Sequence, residues 1–172
     1  MNGELEFRRI GAGEWRELSE LRLRALRDAP LAFGSTLERE SAYDEARWRS
    51  QAESAAAGAD EVAIVAVADG RFVGMARGYL GPSEDLQPQT VVWLIGVYVD
   101  PAWRGRGVAR ALSAEVVGWA RERGVAEVHL HVADWNDAAR RTYEALGFTA
   151  SGAITTLPHE PSVTEVEMLL RL

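Results

Sequence analysis

At 172 residues the chain is long enough for one domain with a core of its own, and its 47% apolar and 26% charged residues are those of an ordinary soluble globule. It contains no cysteine, which excludes a disulfide framework, a thiolate nucleophile and a cysteine metal site. The formal net charge of −7 argues against general affinity for nucleic acid and mildly favours cationic substrates.

In chain order, Met1-Asn2-Gly3-Glu4 has no basic stretch leading into an apolar run, so a secretory leader is not expected and a cytoplasmic location is. Glu4 to Ile10 reads as a first strand. From Glu14 to Asp28, Trp15, Leu18, Leu21 and Ala25 recur at helical spacing, with Pro30 just beyond as a stop. Leu31 to Thr36 forms a loop with an apolar anchor. A second helix is predicted from Ser41 to Ala57, with Ser41 and Asp44 as a capping pair and Gly58 past its end. Val62 to Ala68 and Arg71 to Leu80 are two strands joined at Asp69-Gly70, a hairpin signal. Gly81-Pro82-Ser83 breaks the second strand, and an exposed loop runs to Gln89. Val91 to Val99 is apolar nearly throughout, too short to span a bilayer, and reads as a central strand buried on both faces. A helix from Gly107 to Arg123 follows, with Val108, Leu112, Val116 and Trp119 as its core stripe and Gly124 as its stop. Val128 to Val132 is a strand, Asn136 to Leu146 a helix, and Phe148 and Glu165–Leu170 mark the last two strands. The order is that of a single α/β domain, residues 1–172, with a mixed sheet.

The junction Val97-Tyr98-Val99-Asp100-Pro101-Ala102-Trp103-Arg104-Gly105-Arg106-Gly107-Val108-Ala109 takes a buried strand through a glycine-bearing loop into a helix. Backbone N–H groups in a helix's first turn lack internal partners, and with the helix dipole they make an anion site that glycine lets a phosphate approach closely. Arg104 and Arg106 add positive charge. A dinucleotide-binding loop would want glycine where Arg110 stands, and a Walker loop needs a lysine, of which the chain has none. The bland alternative is that Gly105 and Gly107 only make a tight turn.

Arg104-Gly105-Arg106-Gly107-Val108-Ala109 resembles the acyl-CoA loop Q/R-x-x-G-x-G/A of the GNAT acetyltransferase superfamily. Asn136, Ala139, Tyr143, Gly147 and Phe148 similarly match that family's second element, N-x-x-A-x-x-x-Y-x-x-x-G-F. The resemblance implies a mostly antiparallel mixed sheet flanked by helices, with the fourth and fifth strands splayed apart around the thioester of acetyl-CoA. It further implies that the amides of residues 104–109 hold the pyrophosphate, that backbone groups of Val97 and Val99 pair with the pantetheine arm, and that the Val97 N–H supports an oxyanion. Tyr143 is then the acid at the leaving sulfur, and Asn136 belongs to the CoA site. On their own, Asn136 is also a good N-cap, and Ala139, Tyr143 and Leu146 an ordinary core stripe.

The implied activity is N-acetyl transfer to a primary amine of a small molecule without a covalent intermediate. A CoA-binding sensor or inactive module, a peptide N-terminal acetyltransferase and a longer acyl donor stand as alternatives. Many members carry a carboxylate on the fourth strand, and Val91–Val99 contains none. The resemblance implies that the region just after the Phe33 loop lines the acceptor site, which makes Glu38 the first candidate base and Asp134 the second, each with a plain role at a helix entry or loop as its alternative. Phe33 and Trp93 are candidate walls of the acceptor pocket. His129 and His131 share a strand face, but no third ligand is evident in the sequence, and no metal is expected. The superfamily also leaves a homodimer open.

Overall fold

A computed structural model describes residues 4–172, so Met1–Gly3 of the stretch read as free of a leader lie outside the described residues. The elements are β1 (Glu6–Arg9), α1 (Trp15–Asp28), α2 (Leu37–Ser41), α3 (Glu45–Ala57), β2 (Glu61–Ala68), β3 (Arg71–Pro82), β4 (Thr90–Val99), α4 (Val108–Glu122), β5 (Glu127–Ala133), α5 (Asp137–Glu144), β6 (Thr149–Leu157) and β7 (Glu160–Arg171), with a single 3-10 turn at Pro101–Trp103. One sheet contains all seven strands in the order β1-β2-β3-β4-β5-β7-β6. Every neighbouring pair is antiparallel except β4 with β5. No helix among the described residues is long and apolar enough to cross a membrane.

The sheet separates two cores. Against one face, α4 buries Val108, Leu112, Val116 and Trp119, the predicted stripe, on β2, β3, β4 and β5. Against the other, α1 buries Leu18, Leu21, Ala25 and Leu26, and α3 adds Ala52 and Ala55. Trp15, at the edge of the α1 stripe, is only partly buried because it lies beneath the guanidinium groups of Arg16 and Arg49.

Two local expectations are corrected. The single helix from Ser41 to Ala57 is two: α2 ends at Ser41, and Asp44 starts α3 by accepting the Arg47 N–H at 2.9 Å. Thr36 caps α2 in the same way through Arg39 N–H, so Ser41 caps nothing at an N-terminus. The central strand is also not buried along its whole length. Val91 to Leu94 are buried, whereas Ile95 is 41% exposed and Gly96 and Val97 are half-buried.

The cause is a bulge. Met75 pairs with Tyr98 and Arg77 with Ile95, so two β4 residues, Gly96 and Val97, face Ala76 alone. Gly96 occupies the left-handed region at φ 61°, where a side chain is disfavoured. Beyond this point the two central strands part: β4 and β5 are paired only at Val92–Val128 and Trp93–His129.

Candidate active site

Two clefts open where β4 leaves β5. The first, about 440 Å³, runs from Val97–Val99 past Gly105–Arg110 to Asn136 and Tyr143 on α5. The second, about 580 Å³, is walled by Trp93, Ile95, Tyr79, Arg77, His131 and Glu165. They meet at Ala32 and Phe33 on the loop after α1, which line both.

The first cleft is built to take an anion through its backbone. Ala111 N–H is the first in α4 to find a carbonyl, that of Gly107 at 3.0 Å; no protein acceptor is present for the N–H groups of Gly105 to Arg110 among the described residues. Gly107 caps α4 in the left-handed conformation at φ 76°, and a Cβ on Gly105 or Gly107 would meet nothing within 4 Å. The space above these donors is therefore open, and the helix dipole makes it favourable for negative charge. A diphosphate fits this donor set.

The loop is held by its arginine rather than decorated with it. Arg104 Nε donates to the Val99 carbonyl at 2.9 Å and its terminal nitrogen pairs with Asp28 at 2.6 Å. The positive charge that Arg104 adds to the loop is thus matched by Asp28. Arg106 lies over the Trp103 ring at 5.0 Å and does not line the cleft. Arg24 grips Asp100 with two hydrogen bonds, at 2.9 and 3.2 Å, and also reaches the Phe72 carbonyl. The Tyr98 hydroxyl donates toward Asp28 and Asp100, and burial together with those carboxylates pushes its phenol up to about 12. Arg24 and Asp28 on α1 went unrecognised in the sequence, because 76 residues separate each from its partner in the loop.

Asp100 N–H donates to the Val73 carbonyl on β3. By the alternation of an antiparallel strand, Val97 and Val99 turn their backbone groups to the open side, where no strand pairs with them. The Val99 carbonyl is taken by Arg104, which leaves its N–H and both groups of Val97.

Asn136 is the N-cap of α5, its Oδ1 accepting the Ala139 N–H at 3.2 Å, and it also lines the first cleft. Tyr143 packs edge-on to Phe148 with ring centroids 5.9 Å apart, and burial pushes its phenol up to about 12. It therefore holds its proton at neutral pH and has an O–H to donate there.

Phe33 and Trp93, the candidate walls of an acceptor pocket, both line the second cleft. Neither candidate base reaches a cleft wall: Glu38 is exposed in the first turn of α2, and Asp134 is exposed ahead of α5. The unexpected helix α2 turns Glu40 inward instead, where Arg22 binds it at 2.8 and 2.9 Å. Burial raises the Glu40 carboxyl, but the hydrogen bonds and charge of Arg22 outweigh it and hold the group below its usual range.

The paired histidines also find carboxylates the spacing did not reveal. His129 is buried between Glu127 at 2.8 Å and Glu167 at 3.3 Å, and His131 lies 3.5 Å from Glu84. The Trp93 ring sits between the two imidazoles, 5.3 and 5.0 Å from them.

A model of the acetyltransferase (GNAT) family matches residues 15–148. Mycothiol acetyltransferase of Nocardiopsis dassonvillei is 44% identical over 64 residues, covering 37% of this chain and 19% of that protein. Aminoglycoside N(6')-acetyltransferase type 1 of Salmonella typhimurium is 33% identical over 93 residues, covering 52% of this chain and 64% of that enzyme. The chain thus spans about a fifth of the one relative and under two thirds of the other. Among solved structures, a GCN5-related N-acetyltransferase from Kribbella flavida is 26% identical with a TM-score of 0.70, covering 98% of both chains.

Proposed function

This chain belongs to the GNAT acetyltransferase family, and we propose that it transfers the acetyl group of acetyl-CoA to a primary amine of a small molecule by direct attack. The observation that carries this reading is the run of unpartnered backbone donors from Gly105 to Arg110, at the mouth of a cleft that joins a second one at Phe33. The diphosphate of the donor lies on those amides, and its pantetheine arm runs along Val97 and Val99 as an added strand.

An alkylammonium of pKa about 10.4 outnumbers its free amine by roughly 2,500 to one at pH 7, so presenting the nucleophile costs about 4.6 kcal/mol. A base in the acceptor cleft lowers that cost. Attack on the thioester makes a tetrahedral oxyanion, for which the Val97 N–H on the open side of β4 is the donor. Tyr143 faces the departing sulfur. Its phenol near 12 against a thiol near 8.5 makes complete proton transfer uphill, so Tyr143 assists by a hydrogen bond to the forming thiolate.

The test is release of free thiol from acetyl-CoA in the presence of polyamines, amino acids, aminoglycosides and peptides. Amine-dependent thiol release supports transfer. Tight CoA binding with no release above the amine-free rate across that panel points to a binding module instead.

A further inference from the structure

The acceptor cleft holds a carboxylate that no hydrogen bond or salt bridge engages among the described residues. The arginine, histidine and other carboxylate side chains that line it or approach it closely each have a partner. Arg22 is paired with Glu40 at 2.8 Å and Arg77 with Glu61 at 3.1 Å. Glu84 faces His131 at 3.5 Å. Glu167, one pleat along β7, is engaged with His129 at 3.3 Å. Glu165 itself is 8% exposed and lines the cleft, yet its carboxylate has neither a hydrogen bond nor an ion pair among the described residues. A buried, unpartnered carboxylate is costly to keep, and such groups gather at sites that bind a counter-charge.

We propose that Glu165 receives the ammonium group of the acceptor and is the base that frees it for attack, so that the preferred acceptors are cationic amines. This rests on the acetyl-transfer reading above and deepens it. The ammonium gives one proton to the Glu165 carboxylate, and the resulting amine attacks the thioester carbon, forming the C–N bond. Collapse of the tetrahedral intermediate breaks the C–S bond, the second nitrogen proton passes to the departing thiolate, and Glu165 returns its proton to water. One amide, one thiol and one proton leave for each ammonium and thioester that enter.

The setting suits the task. Tyr79, 38% exposed in the same wall, gives a cation an aromatic ring to lie against. Burial raises the Glu165 carboxyl above its ordinary value, while His131 and His159 pull it the other way, so it is a stronger base than an exposed glutamate. The absence of a carboxylate on β4 then has a physical answer: the base comes from β7, brought to the cleft by the pairing of Glu165 with Ala133 on β5.

Glu165→Gln keeps shape and removes charge. Thiol release is measured with acetyl-CoA and spermidine, kanamycin or a peptide bearing a free N-terminus, alongside calorimetric binding of spermidine and kanamycin to the CoA-loaded protein. The expected result is a kcat lower by about a hundredfold or more, loss of the acid-side limb of the kcat/KM profile, and weaker amine binding. Acetyl-CoA affinity is expected to stay unchanged and the melting temperature equal or higher, since no contact is broken; Glu165→Asp restores part of the rate. Turnover in the glutamine variant within about threefold of the parent, with its acid limb intact, overturns the assignment, as does finding that limb abolished by His131→Gln instead. No thiol release by the parent protein with any of the three acceptors removes the transfer reading itself, a result distinct from activity that survives the loss of Glu165.

Discussion

Single residues at the strand-to-helix junction line the proposed donor cleft, and the expected effects of changing them follow from what surrounds them. Gly107 has open space over it and a left-handed backbone. Gly107→Glu places bulk, strain and negative charge where a diphosphate must sit, and CoA binding measured by calorimetry is expected to vanish. Retention of normal affinity by that variant would falsify the cradle. Tyr143 lines the other end of the same cleft. Tyr143→Phe removes only a hydroxyl, so CoA affinity should hold while kcat falls about ten- to a hundredfold, the worth of a hydrogen bond to a forming anion. These residues were legible in the sequence because their spacing is local: Arg104 to Ala109 and Asn136 to Phe148 each form one turn or one short helix. Glu165 was not, since a lone glutamate in an alternating strand reads as a solvent-facing residue until its neighbours are known.

Among the elements, β4 decides where the site can be. Its apolar run announced a central strand, and it is the fourth of seven. What the run did not announce is the bulge at Gly96, although a glycine inside a strand is the signal for one. The bulge turns Val97 and Val99 toward the gap left by β5. Gly96→Val forces a β-branched residue into a left-handed conformation that costs on the order of 1–2 kcal/mol or more. For a chain of this size that lowers the melting temperature by roughly 2–8 °C, and turnover is expected to fall further than stability alone explains. A Gly96→Val variant with parental melting and rate would show that the bulge positions nothing. The helix α2 was missed for a different reason: five residues carry too little periodicity to be seen.

Across the whole molecule, ion pairs tie the Phe33 loop and the loop from Asp100 to Gly107 to one scaffold. Arg22 and Glu40 join α1 to α2 beside the acceptor cleft, with the Arg22 guanidinium over the Phe33 ring. Because Glu40 is held below its usual value when folded, its contribution is present above about pH 4.3 and is lost as pH falls through the lower folded value. Glu14, lowered chiefly by its hydrogen bond from Arg8, acts in the same direction. Arg22→Met leaves Glu40 buried with only the weaker influences of Ser35 and Arg77, so its carboxyl rises. The onset of acid unfolding, followed by circular dichroism, should then move to higher pH, and stability near neutrality should drop by about 3–5 kcal/mol. An unchanged acid transition would show that the pair does not secure this loop.

The sequence alone determined the order of elements apart from α2, the α4 stripe, the Asp69-Gly70 hairpin and both family motifs, because each depends on contacts within a few residues. Tertiary structure alone decided that Arg104 is a strut to Asp28, that Glu38 faces outward while Glu40 is neutralised within, and that Glu165 stands unpaired in the acceptor cleft. Charge matching is a property of groups brought together across the sheet, and no periodicity along one strand records which partner arrives from another.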